Sequence, residues 1–340
     1  MAKARGKLAY IQVDVGSSVF KDLINVTDMT ISQSKDEIDS SDADTSGWKE
    51  YIDGDRQATI DVTVNFTGAA TQEIIHDAWL NNTTFAIKYG FRKYTSAFAT
   101  TVKVNTCTID CPASGIRTLK ATLRIISIPT TTTATANADT AGVYTKQRGK
   151  YAGLLFEQSG VTVAGTAASK VLTLTGGAGT NYAVGSQLMV ESDNKIYTIA
   201  SVASTTITLV ENLGTSPSGK KLYTEFENMT ALTFNGSQDE IESTDADTQG
   251  FKEYLAGDAG MTIDTTCNYS EATNQAAVIA AFYAATPLTA RWFYGVNSTK
   301  KWFTAPLLIT KDDVSSAQAS VQTMSFTFRV QTKPTATTQA

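Results

Sequence analysis

Residues Asp36–Phe66 read DEIDSSDADTSGWKEYIDGDRQATIDVTVNF, and residues Asp239–Tyr269 read DEIESTDADTQGFKEYLAGDAGMTIDTTCNY. About 19 of the 31 aligned positions are identical, more than shared composition produces, so the chain carries an internal repeat. The matches fall in blocks. Asp36, Glu37 and Ile38 answer to Asp239, Glu240 and Ile241, and Asp42 to Thr45 answer to Asp245 to Thr248. Lys49, Glu50 and Tyr51 answer to Lys252, Glu253 and Tyr254. Whatever this protein does, it does with two versions of one unit.

The repeat extends outward from this stretch. Arg5-Gly6-Lys7 ahead of Leu8–Ile11 matches Arg148-Gly149-Lys150 ahead of Tyr151–Leu154, and Met29-Thr30 matches Met229-Thr230. Asp61–Phe66 and Asp264–Tyr269 alternate apolar and polar, as half-buried strands do. A short amphipathic helix follows in each unit. Its apolar stripe is Ile74, Ile75, Ala78 and Trp79 in the first, aligned with Val278, Ile279, Phe282 and Tyr283 in the second. Thr71 and Thr273 or Asn274 are the expected N-caps. Strands are expected at Thr84–Tyr89 and Leu288–Tyr294, and again where Leu119, Ala121, Leu123 and Ile125 alternate, as do Met324, Phe326, Phe328 and Val330. Each unit then runs into a Thr/Ala-rich tail. The first tail reads as a linker and the second as the end of the chain.

One segment lacks a counterpart. Between about Val161 and Lys221 the second unit holds short β signals at 170–175, 187–191, 195–202 and 205–210, separated by turn residues. This predicts a small closed barrel or sandwich inserted at an exposed loop. The expected domains are 1–130, a linker at 131–146, a second domain from 147–160 with 222–335, and the insertion at 161–221.

Composition bounds the function. The 340 residues are 42% hydrophobic and 18% charged, a globular mix suited to β-structure. A net charge of −5 argues against sequence-specific nucleic-acid readout. Met1–Lys7 is basic, but Leu8–Val13 is broken by Gln12 and followed by Asp14, too short and polar for an export core. No apolar run is long enough to span a membrane. Three cysteines, Cys107, Cys111 and Cys267, read as apolar fillers or free thiols of a reducing compartment.

No catalytic set emerges, so no enzyme, cofactor or metal is expected. The single histidine, His76, lies off the helix stripe, aligns with Ala280, and reads as a solvated residue. That removes Ser-His-Asp and Cys-His arrangements. No Cys/His metal spacing or phosphate loop is present. Asp42 to Gly47 opens like an EF-hand calcium loop. However, no helix flanks it, Asp53 stands where Glu belongs, and the copy has Gln249 and Ala256 at positions five and twelve. The stretch reads instead as an interface. Asp36, Glu37, Asp39, Asp42, Asp44, Trp48, Lys49, Glu50 and Tyr51 form one contact loop. Asp239, Glu240, Asp245, Asp247, Phe251, Lys252, Glu253 and Tyr254 form the other. Aromatics set among charges anchor protein contacts, and charge pairs fix their register.

The order of two strands, this acidic motif, a strand, one helix and further strands resembles the major tail tube proteins of long-tailed bacteriophages. The resemblance covers both units, roughly 1–130 and 147–335 without the insertion. It implies a mainly β (α+β) fold: two tandem tail-tube-type β-sandwich or barrel domains, each flanked by one α-helix, plus the small all-β insertion. It further implies a structural virion protein of the phage tail, made in the bacterial cytoplasm and polymerised into stacked rings around a channel. Six domains per ring become three chains, a pseudo-hexamer with threefold symmetry. The implied partners are further copies of the chain, the tape measure, distal tail and terminator proteins, and double-stranded DNA passing without specific binding. The competing readings are the inner tube of a contractile tail or injection system, and a baseplate- or fibre-associated binding protein.

Overall fold

The computed structural model describes residues 9–39, 51–92, 96–137, 152–193, 195–242, 254–269, 273–294, 301–315 and 322–338. The first repeat runs β1 (Tyr10–Asp14), β2 (Phe20–Asp22), β3 (Val26–Asp39), β4 (Tyr51–Asn65), α1 (Ala70–Asn81), β5 (Thr84–Arg92), β6 (Ser96–Pro112), β7 (Thr118–Ile125) and β8 (Thr130–Thr132). The second runs β9 (Gly153–Gly165), β10 (Val171–Thr175), β11 (Gln187–Val190), β12 (Ile196–Val202), β13 (Thr206–Leu209), β14 (Lys220–Glu225), β15 (Met229–Glu242), β16 (Tyr254–Asn268), α2 (Thr273–Ala284), β17 (Leu288–Phe293), β18 (Lys301–Ser315), β19 (Thr323–Val330) and β20 (Thr335–Thr338). The fold is mainly antiparallel β with one twelve-residue helix per repeat, as expected from the sequence.

In the first repeat β1 pairs with β2 and β5, β5 with β6, β6 with β8, and β4 with both β3 and β7. Alternate residues point inward, so Ile11, Ile60, Val62, Ile87, Val102 and Leu123 are buried. The second repeat uses the same ladders, with β9 between β14 and β17, and β19 beside β16 and β18. Its core is aromatic instead. Phe156, Phe226, Phe326 and Phe328 pack with ring centroids 5.4–6.0 Å apart.

The backbone fixes the alignment of the two repeats. Thr27 and Thr230 each donate a hydroxyl hydrogen bond of 3.1 Å to the carbonyl opposite, Thr63 or Thr266. Asn25 and Asn228 both adopt the left-handed conformation, at φ 59° and 58°, which asparagine tolerates well. Gln72 donates to the carbonyls of Ile24 and Asn65, and Gln275 to those of Glu227 and Asn268. Every one of these pairs is separated by the same 203 positions.

Several expectations change on this alignment. Met229 answers to Val26, not Met29. In the helices Ile75, Ala78 and Trp79 answer to Val278, Ala281 and Phe282, one place earlier than the stripe suggested. Thr71 is not the N-cap. The cap residue is Ala69, and the buried Gln72 side chain accepts the Thr67 amide at 2.8 Å instead. His76 is not solvated but 5% exposed, with its ring 6.1 Å from that of Trp79. The Thr-rich tails begin as short strands. Thr130–Thr132 pairs with Ala97–Ala99, and Thr335–Thr338 with Lys301–Thr304, the β-branched threonines suiting an added strand. All three cysteines are buried and free. Loss of hydration pushes the Cys107 thiol up to about 12 and the Cys267 thiol up to about 11.

The inserted segment closes on itself. Pairing runs β9–β10–β13–β12–β11–β14 and back to β9, an edgeless six-stranded barrel. Leu172, Leu188, Tyr197, Ile199, Ile207 and Leu222 fill it. Its place is readable from the first repeat. There, β1 and β2 meet with Gln12 opposite Asp22 across the short turn Val15–Val19. In the second, Leu155 stands opposite Glu225 in the same way, and the barrel replaces that turn. Met189 and Tyr223 join Leu155, Phe293 and Trp302 in one buried cluster beneath it. Arg291 lies 4.4 Å from the Tyr223 ring, and its Nη1 is 3.0 Å from the Met189 sulfur.

Candidate subunit interface

Where it is described, the acidic motif is strand in place of the expected loop. β3 and β4 pair continuously from Val26 with Val64 out to Asp39 with Tyr51, apart from two bulges. Asp36, Glu37 and Asp39 therefore lie on the outgoing strand of a long arm and Tyr51 on the returning one. In the second repeat Asp239 and Glu240 lie on β15 and Tyr254 on β16. Asp36 and Asp239 are exposed. Asp42, Asp44, Trp48, Lys49, Glu50, Asp245, Asp247, Phe251, Lys252 and Glu253 lie outside the described residues.

The chain has two compact units, and they do not coincide with the repeats. The first unit holds residues 1–109, 117–146 and 235–261, so it takes in the outer part of the second repeat's arm. The second holds 110–116, 147–234 and 262–340, so it takes in the β6–β7 turn of the first. In that second unit the Ala113 amide donates to the Thr230 carbonyl at 3.0 Å.

Within the first unit the arm residue Gly236 lies directly on Trp79 of α1. A Cβ on Gly236 would overlap the benzo ring of the indole. Trp79 is 4% exposed, and Gln238, two residues along the arm, is 8% exposed. Bare backbone at 236 lets a large aromatic ring seat against the strand.

The corresponding parts of the other arm and the other helix are open. Gln33 and Lys35, which answer to Gly236 and Gln238, are exposed. Pairing puts Gln33 opposite Ala58 and Lys35 opposite Arg56, so these four share the face that also carries Ile60. A cavity of about 360 Å³ opens there, lined by Gln33, Ser34, Lys35, Arg56, Gln57, Ala58 and Pro129. On α2, Phe282 is half-buried where Trp79 is buried, and Tyr283 is 80% exposed. Ala276, Ala277, Ala280 and Ala284 are exposed beside it, and no residue from Thr273 to Ala284 is charged.

Sequence reasoning placed the interface at the identical residues of the arm tips. It missed the seat of Trp79, whose signal was the opposite one. Gln33 against Gly236 and Lys35 against Gln238 are differences between the two arms, just ahead of the matching Asp-Glu-Ile block.

The model of the phage tail tube protein family matches twice, at residues 2–125 and 204–336, once for each repeat. No curated protein sequence matches the chain. Among solved structures, a chain from the virion of a native gene transfer agent particle aligns with 35% of this chain and 89% of its own. Its identity is 12% and its TM-score 0.31. A chain from the tail of an empty gene transfer agent particle, refined with C6 symmetry, covers 35% and 87% at 13% identity and the same score. At that score neither alignment bears on the conclusions. The double match of the family model spans most of the chain, which therefore belongs to the phage tail tube protein family and is a structural protein of the virion tail.

Proposed function

We propose that three copies of this chain close into a ring of six tube domains, and that such rings stack into the conduit for phage DNA. The observation that carries this reading is the two-fold use of one unit, matched hydrogen bond for hydrogen bond across 203 positions. A chain that already holds two ring positions needs three copies where a single-domain subunit needs six. The acidic arm tips, from Asp36 to Tyr51 and from Asp239 to Tyr254, reach the neighbouring subunit or ring. Their Lys-Glu pairs set register more than affinity. The net charge of −5 suits a bore through which DNA passes without being held. The inserted barrel stands on the outer wall, where it does not obstruct the bore. The tape measure, distal tail and terminator proteins meet the tube along its length and at its ends.

Mass measurement of the assembled protein under native conditions tests the stoichiometry. The expected species are the single chain and assemblies of three chains and multiples of three. A series dominated by two, four or five chains, with three and its multiples absent, would contradict it.

A further inference from the structure

We propose that the contact between α1 and the second repeat's arm is the template for the contact between chains: α2 of one copy docks in the cavity on the first repeat's arm of the next. This rests on the reading of the chain as a ring-forming subunit, and it names the surfaces that close the ring.

Three observations converge on that occupant. The first is that the chain makes the joint once. Trp79 of α1 sits under Gly236 and is buried with it. The second is that both halves of the same joint are left open elsewhere. The arm face of Gln33 and Lys35 borders a cavity of about 360 Å³, and α2 exposes Tyr283 and four alanines. An uncharged helix face of this kind is unusual on a surface that stays wet.

The third observation is steric. Where the helix carries the large indole of Trp79, the arm carries no side chain. Where the helix carries the smaller Phe282, the arm carries Gln33. The bulk removed on one side is returned on the other, so each helix fits its own arm. Exchanging partners would crowd Gln33 against Trp79 and leave a gap between Gly236 and Phe282. The two joints are therefore similar in shape but not interchangeable, which favours docking in the correct order. Tyr283 would come beside Lys35 and Arg56, where a cation over an aromatic face adds attraction.

Each copy contributes one open arm and one open helix, so the contact is head-to-tail. Whether it closes after three copies is set by the angle of the internal joint.

Cysteine crosslinking tests this on the full chain. Gln33→Cys and Phe282→Cys are introduced together and the protein is assembled. A short bis-maleimide is then used, because an aromatic side chain holds the two backbones apart. The native cysteines are buried. The expected result is a denaturing-gel ladder ending at three linked chains, with the 33–282 link found by mass spectrometry and missing from either single variant. Hollow particles that form normally without that link would overturn the joint while leaving the ring reading intact. Ala280→Arg, on the exposed face of α2, guards against a crosslinking variant that fails to assemble. It should raise the protein concentration needed for assembly at least tenfold, with an unchanged circular dichroism melt. Unchanged assembly of Ala280→Arg would likewise overturn the joint. A wild-type chain that stays monomeric at every concentration would overturn both readings.

Discussion

Helices α1 and α2 have the same length, the same buried glutamine anchor and a left-handed residue just past the last turn, Asn82 in one and Ala285 in the other. They differ in what covers them. α1 carries Glu73 and Asp77 on its outer side, yet it buries Trp79 and His76 under an arm. α2 carries no charge at all, yet it leaves Tyr283 in water. A helix that met only solvent would show the reverse pairing of charge and exposure. Duplication explains the contrast. On the proposed assembly, two copies of one unit in a chain satisfy one joint internally and leave the other to the next chain. The bare helix is then the informative one, because it shows what the internal contact hides.

The strongest way to break this comparison is to give one arm the other's residue. Gly236→Gln forces a side chain into the Trp79 ring and should cost about 1–3 kcal/mol or more of folding stability. Trp79→Phe, which makes α1 resemble α2, should recover much of that loss. A double-mutant cycle by chemical denaturation therefore reads a favourable coupling between the two changes. Additive losses would mean that Gly236 and Trp79 do not form the joint described here.

A smaller effect sharpens the equivalence of the repeats. Gln72→Ala and Gln275→Ala each strand two backbone carbonyls that the glutamine amide serves, at a cost of about 1–3 kcal/mol. The two losses should agree to within about 1 kcal/mol by urea denaturation. Gln72 also accepts the Thr67 amide and hydroxyl. A silent Gln275→Ala would mean that the second helix is held differently from the first.

Much of the fold was legible in the sequence, for physical reasons. Strands β7 and β19 alternate cleanly because one face is core and the other is not. The inserted strands were placed to within a residue or two because they alternate in the same way and are cut by turn residues. The arms were read as loops because their outer halves are acidic. A strand beyond the domain core has no apolar face to announce it, and only pairing with its neighbour reveals it. The helix register slipped by one because two apolar residues stand side by side in each stripe, and either alignment keeps the spacing. The glutamine anchor at 72 and 275 separates them. His76 was misread for the same reason: on the corrected alignment its counterpart is Ile279, a residue that belongs near a core. The seat of Trp79 was invisible from periodicity, since a glycine in a strand carries no pattern. Its meaning comes from the ring that lies against it.

The central claim is that one chain supplies two ring positions, joined inside the chain as they are joined between chains. Electron microscopy of the assembled protein, with class averages viewed down the ring axis, tests it most directly. The account predicts a hollow ring of six similar lobes in which alternate lobes carry a knob, the inserted barrel, so that the symmetry is threefold. A ring with a knob on every lobe, or compact particles with no bore, would contradict it.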